Sequence, residues 1–163
     1  MANLSVGVNV DFTGVTYTPG TGWSGTPAWT ITPSNLVAHQ GNNKIAWSLT
    51  TLNSSQQNTV PSGFTAAFSS TSGVVFKASN PTPWTGSTPT LQTTGQNSGQ
   101  ITADDNFQNL PVSVTFNYTT NVSLTPNAGN NGVGTTFSYD PDVENDSGGG
   151  VITYASAGEA AGV

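Results

Sequence analysis

From residue 112 to 124 the chain keeps an unbroken period of two. Val112, Val114, Phe116, Tyr118, Thr120, Val122 and Leu124 fall on one parity, and Ser113, Thr115, Asn117, Thr119, Asn121 and Ser123 on the other. Only a strand buried on one face places successive side chains on opposite sides in this way. A core on one side and water on the other is the habit of antiparallel sheets. Shorter runs repeat the pattern: Leu4, Val6, Val8, Val10 and Phe12; Ile45, Trp47 and Leu49; Phe64, Ala66 and Phe68. No segment sustains a helical period. The expected fold is therefore all-β: a single antiparallel β-sandwich, immunoglobulin-like or jelly-roll, with about 7–10 strands and no substantial helix. Residues 1–154 read as the domain and 155–163 as a tail, with Trp47 and Phe116 in the core.

The punctuation between these runs predicts the connections. Gly14 separates the opening strand from Val15 and Tyr17, which resume with the other parity, so a bulge or bend is expected there. Residues 19–28, rich in Gly, Pro and Thr, read as a loop, and Trp29 and Ile31 share a face of a short strand before Pro33. Gly41-Asn42-Asn43 reads as a turn, 53–62 as a loop, and 79–100 as a long loop. Val74 and Phe76 mark a short strand, Asp104-Asp105-Asn106 a corner, and 127–132 a turn. Val133, Thr135, Phe137 and Tyr139 should then return as the hairpin partner of 112–124.

Charge narrows the function classes. Charged residues make up 6% of the chain, against about 25% in an ordinary soluble domain. The two basic residues, Lys44 and Lys77, and a net charge of −6 leave no patch able to neutralise phosphates, so nucleic acid is excluded as a partner. An anionic membrane surface is excluded for the same reason, and no segment has the length of a membrane span. The absence of Cys removes disulfides and thiolate chemistry. The opening residues lack a basic region and a continuous apolar stretch, so no signal peptide is expected. The favoured location is the cell exterior or a particle, reached by a route without such a signal; the cytoplasm stands as the alternative.

Candidate sites are few. His39 is the single His, and a lone His before a turn reads as a solvated or structural residue rather than a base. A glycosidase needs two carboxylates facing across a cleft; both Glu residues, Glu144 and Glu159, lie in the acidic C-terminal region, and Asp11, Asp104 and Asp105 have no evident partner. The expectation is a protein without enzymatic activity. Asp140, Asp142, Glu144 and Asp146 recur every second residue and offer oxygen ligands suited to Ca²⁺, with Asp104, Asp105 and Asn106 as further donors; the bland alternative is an acidic segment that discourages edge pairing. Trp23 and Trp84 each open a short stretch of hydroxyl residue, Gly and Thr-Pro. Exposed Trp faces stack on sugar rings, so these two are the candidate glycan platforms; the alternative is that each caps an open end of the fold. Finally, Leu4, Val6, Val8 and Val10 sit at the spacing with which an opening strand adds to a neighbour's sheet, or simply pairs in its own.

The element order, an early strand ending at a Pro, a core strand with Trp47 and a late hairpin, has an immunoglobulin-like outline. The stretch Tyr139-Asp140-Pro141-Asp142-Val143-Glu144-Asn145-Asp146 resembles the Asp-Pro-x-x-x-Asn ending of small uncharacterised bacterial immunoglobulin-like β-sandwich proteins. The likeness spans about eight residues and implies a bacterial module of unassigned activity; it carries over no catalytic residue. The functional expectation is a non-catalytic structural or adhesive protein that acts by self-assembly, as a homo-oligomer or filament, or by surface interaction. A lectin-like module for surface glycans, with calcium as the one cofactor considered, stands beside it.

Overall fold

The computed structural model describes residues 2–32, 35–39, 41–76, 90–93, 99–107, 114–140, 142–146 and 151–155, with side chains at 3–32, 44–75, 99–104 and 119–140. The protein is all-β, with no helix among the described residues. Its strands are β1 (Ala2–Asp11), β2 (Thr16–Thr18), β3 (Gly22–Ser24), β4 (Ala28–Thr32), β5 (Asn35–His39), β6 (Gly41–Thr50), β7 (Phe64–Phe68), β8 (Val74–Phe76), β9 (Thr90–Thr93), β10 (Gly99–Phe107), β11 (Val114–Pro126), β12 (Thr135–Tyr139), β13 (Asp142–Asp146) and β14 (Val151–Ala155). A five-stranded sheet runs β4-β1-β6-β10-β9, a second follows β12-β11-β13-β14-β5 with β7 and β8 also on β11, and β2 and β3 form a hairpin.

The long alternating strand is the spine of the second sheet. Thr120, Val122 and Leu124 are buried while Asn121 and Ser123 face outward, as the sequence pattern requires. β12 returns as its antiparallel partner, with Val122 opposite Phe137 and Thr120 opposite Tyr139. β13 continues along the same flank of β11. On the other flank, β7 and β8 are interrupted by a bulge at 69–73. Asn121 pins it: its backbone carbonyl accepts from Ser69 N (2.9 Å) and its N–H donates to the Gly73 carbonyl (2.8 Å). Its side chain donates to the Ser72 carbonyl (2.6 Å) and accepts from Ser138 Oγ (2.5 Å).

In the first sheet β6 is central and β1 lies between it and the edge strand β4. β1 pairs antiparallel with β4 and parallel with β6, with Leu4 opposite Ile45, Val6 opposite Trp47 and Val8 opposite Leu49. This parallel pair corrects the purely antiparallel expectation. Parallel neighbours need a long crossover, and the protein supplies one through β2, β3, β4 and β5 before β6 begins. Local patterning records which face of a strand is buried, not which way its neighbour runs.

The two larger sheets share a buried apolar cluster. Val6, Val8, Val10, Phe12, Ile31, Ile45, Trp47, Ile101 and Ala103 come from the first sheet and its β1 extension, and Phe64, Phe68, Val74, Val122 and Leu124 from the second. Trp47 is fully buried, between Val6 and Ile101 in register. Phe116 lies in β11 opposite Val143, and its side chain is outside the described set.

Five further expectations are corrected. Gly41, Asn42 and Asn43 form no turn: they open β6, opposite Phe107, Asn106 and Asp105 of β10. The 19–28 loop contains β3, closed on β2 through Pro19 and Gly20, whose φ of 83° suits a turn. Asp104, Asp105 and Asn106 form no corner: they continue β10, opposite Lys44, Asn43 and Asn42 of β6. The 79–100 loop includes β9 and the start of β10. Ala155, read as tail, is the last residue of β14, opposite Asp142. At Asp104 to Asn106, polar residues occupy positions where backbone pairing to β6 makes the strand.

Candidate functional site

The Gly/Pro-rich hairpin β2–β3 carries aromatic residues to one end of the fold. Tyr17 and Trp23 are cross-strand partners, with ring centroids 5.1 Å apart. Phe64, the first residue of β7, packs edge-on against both, at 5.3 Å from Tyr17 and 4.7 Å from Trp23. Such tilted contacts suit the quadrupoles of aromatic rings. The polar handles of the pair clasp the backbone of one residue of the 127–134 connection, Val133. Trp23 Nε1 donates to the Val133 carbonyl (2.7 Å), and Val133 N donates to the Tyr17 hydroxyl (3.3 Å).

The connection is tied down as well. Asn130 Nδ2 donates to the Gly63 carbonyl (2.6 Å), Gly132 N donates to Asn130 Oδ1 (2.9 Å), and Asn127 N donates to the same Gly63 carbonyl (2.9 Å). Gly132 is obligatory here, because a Cβ at that position would sit 2.6 Å from Phe64 Cζ. Two open grooves flank Phe64. One, of about 370 Å³, runs along Thr16, Tyr17, Pro19, Pro61, Ser62 and Asn130. The other, of about 400 Å³, runs along Leu49, Thr51, Leu52, Asn58, Val60 and Thr65. Both mix apolar walls with hydroxyl and amide groups, a lining able to take a small polar ligand with apolar faces.

Trp23 is thus half-buried, capping the end of the fold with its indole N–H spent on Val133; Trp84, the second candidate platform, lies outside the described residues. Tyr17, Phe64, Asn130 and Val133 join the site without any signal in the sequence, since Trp23 and Val133 stand 110 residues apart.

The acidic candidates Asp140, Asp142, Glu144 and Asp146 lie just before and along one strand, β13. Asp140 accepts from the Thr119 hydroxyl across the β11–β12 pair. Asp142, Glu144 and Asp146 occupy alternate positions of β13, an internal strand between β11 and β14. A strand rises about 3.3 Å per residue, so the ends of this series stand roughly 13 Å apart along the backbone. A flexible loop folding around one ion is what the calcium expectation needs, and this arrangement lends it no support. Among the described residues no three His, Cys, Asp or Glu come together. Asp11 Oδ1 accepts from both Thr13 Oγ1 (2.6 Å) and Thr13 N (2.9 Å), and these bonds hold its carboxyl below the usual carboxylate range. His39 falls in β5 opposite Val151, with its side chain outside the described set.

The proposed assembly residues serve this protein's own core. β1 has a strand on each flank, Val6, Val8 and Val10 are buried, and Leu4 packs against the cluster. The reading in which this strand inserts into a neighbour gives way to pairing within its own sheet. The strands with a partner on one flank only, among the described residues, include β4, on β1, and β12, on β11. Trp29 of β4 stacks on Tyr139 of β12 at 5.4 Å and 14°, joining these two edges at their inner rims.

Comparison with protein-family models, with curated proteins and with solved structures finds no match to this protein.

Proposed function

We propose that this protein is a non-catalytic structural β-protein, its two larger sheets packed as a single sandwich, and that it acts through its surface by associating with further copies of itself. The shared apolar cluster supports the sandwich. The observation that carries the functional reading is that the edge strands β4 and β12 hold no charged residue. The charged residues among the described side chains are Asp11, Lys44, Asp104 and Asp140. Lys44 and Asp104 stand opposite each other in register, and Asp11 and Asp140 accept local hydroxyls. The edge strand β4 exposes Ala28, Thr30 and Thr32, and β12 exposes Thr136 and Ser138. Natural sheets protect such edges with Lys, with Pro inside the strand or with bulges; neither strand carries a charge. Thr–Thr and Thr–Ser pairs also suit cross-strand contact.

The test is a comparison of the intact protein with a Thr30→Lys/Thr32→Lys double variant, by size exclusion and negative-stain microscopy. The variant should keep its circular dichroism and unfolding midpoint while its association weakens. Association undiminished in a folded variant would remove β4 from the assembly surface.

A glycan-binding reading has one supporting observation, the groove between Tyr17 and Phe64 beside Trp23. Sugar binding there would shift Trp fluorescence in a wild-type titration, and Tyr17→Ala should abolish the shift. A calcium titration run alongside separates a metal-dependent lectin from a metal-free one.

A further inference from the structure

Asn131-Gly132 is the one Asn-Gly dipeptide in the sequence. Asn131 is exposed in the connection that Trp23 and Tyr17 clasp. An Asn followed by Gly is prone to self-modification, because no side chain shields the following backbone nitrogen, and Asn is among the thermolabile residues. The Gly132 nitrogen attacks Asn131 Cγ, and the new N–C bond closes a five-membered succinimide. The Cγ–Nδ2 bond of Asn131 breaks, and ammonia leaves with the proton of the attacking nitrogen. Water then opens the ring to aspartate or to isoaspartate, which adds a methylene to the backbone.

Here the attacking nitrogen is held. Its hydrogen is donated to Asn130 Oδ1 at 2.9 Å, while Asn130 Nδ2 is anchored on the Gly63 carbonyl at 2.6 Å. The Gly132 Cα stands against the Phe64 ring, with no room for a Cβ. We propose that Asn131 is a modification site whose deamidation the folded state holds in check, and that Asn130 is the latch. An isoaspartyl linkage at 131 would lengthen the backbone next to the Phe64 contact and loosen the Val133 peptide from Trp23 and Tyr17. One irreversible event, with one added negative charge, would thereby open the aromatic end of the fold. This inference is independent of the assembly reading.

Peptide mass spectrometry of protein aged at neutral pH measures the modification at residue 131 directly. Folded wild type should deamidate more slowly than urea-unfolded wild type. Asn130→Ala should speed the folded rate roughly fivefold, the factor corresponding to one hydrogen bond of about 1 kcal/mol. Deamidated protein should show altered Trp fluorescence. Amide exchange on the wild type reads the latch without any substitution: Gly132 N–H should exchange well below the rate of an unfolded peptide. Exchange of Gly132 at the unfolded-peptide rate, or equal deamidation of folded and unfolded wild type, would overturn the proposal. A folded Asn130→Ala protein that deamidates at the wild-type rate would remove Asn130 as the latch.

Discussion

Thr120 occupies an inward position of β11 and is fully buried, yet its hydroxyl has no hydrogen-bond partner among the described residues. It stands between Val74 of β8 and Tyr139 of β12 in register, within the apolar face that Val122 and Leu124 continue. A buried hydroxyl without a partner costs about 1–3 kcal/mol. Thr120→Val replaces it with a methyl of similar shape, keeps the β-branched side chain that suits a strand and adds apolar burial worth up to about 0.8 kcal/mol. A net gain of about 1–2 kcal/mol is the expected outcome. For a protein of this size each 1 kcal/mol moves the melting temperature by roughly 2–4 °C. Urea unfolding followed by Trp fluorescence should show a higher midpoint with an unchanged slope. Thr120→Ser, which keeps the hydroxyl and discards the methyl, should move the midpoint down. A Thr120→Val protein destabilised by about 1 kcal/mol or more would refute the reasoning, since the hydroxyl would then have to hold a bond that this fold does not provide.

Trp47→Ala should cost about 3–5 kcal/mol in the same assay, because its ring fills the space between Val6 and Ile101 at full burial; a loss under about 1 kcal/mol would place it outside the core. Gln56 adopts a φ of 60° in the 53–57 turn, where its N–H bonds to the Asn53 carbonyl at 3.0 Å. Gln56→Gly relieves the left-handed strain and should gain about 0.5–1 kcal/mol, read as a higher urea midpoint; a loss would contradict the strained turn. Asp11 has its folded pKa lowered by the Thr13 hydroxyl and amide. Its contribution is therefore present above the unfolded carboxylate value and disappears as pH falls through the lower folded value. Thr13→Ala removes the hydroxyl bond and should flatten that acid limb in an unfolding-versus-pH series; an unchanged limb would show that the bond does not form.

The elements legible in the sequence were those that bury one face. The 112–124 run from Val114 onward, the 4–12 run and the Trp47 strand all appear because Val, Phe and Trp alternate with Ser, Thr and Asn, and the hairpin to β12 follows from adjacency. β10 was less legible past its start: Ile101 and Ala103 are buried, but Asp104 to Asn106 continue the strand through backbone pairing to β6, which polar side chains do not advertise. β3 is three residues long inside a Gly/Pro stretch and exists because Trp23 closes on Tyr17 and Phe64. The candidate site shows the same limit. Trp23 stood out as an aromatic residue in a loop, but Phe64 and Val133 reach it only through the fold. The β1–β6 parallel pair lies further still from local pattern, since the direction of a neighbour is settled by the crossover between them.

Light scattering on the intact protein over a wide concentration range tests most directly whether this neutral-edged β-protein acts by associating with itself. The weight-average mass should rise with concentration above the 16.7 kDa of one molecule, with the circular dichroism unchanged. A mass fixed at 16.7 kDa up to the highest soluble concentration would contradict the assembly reading.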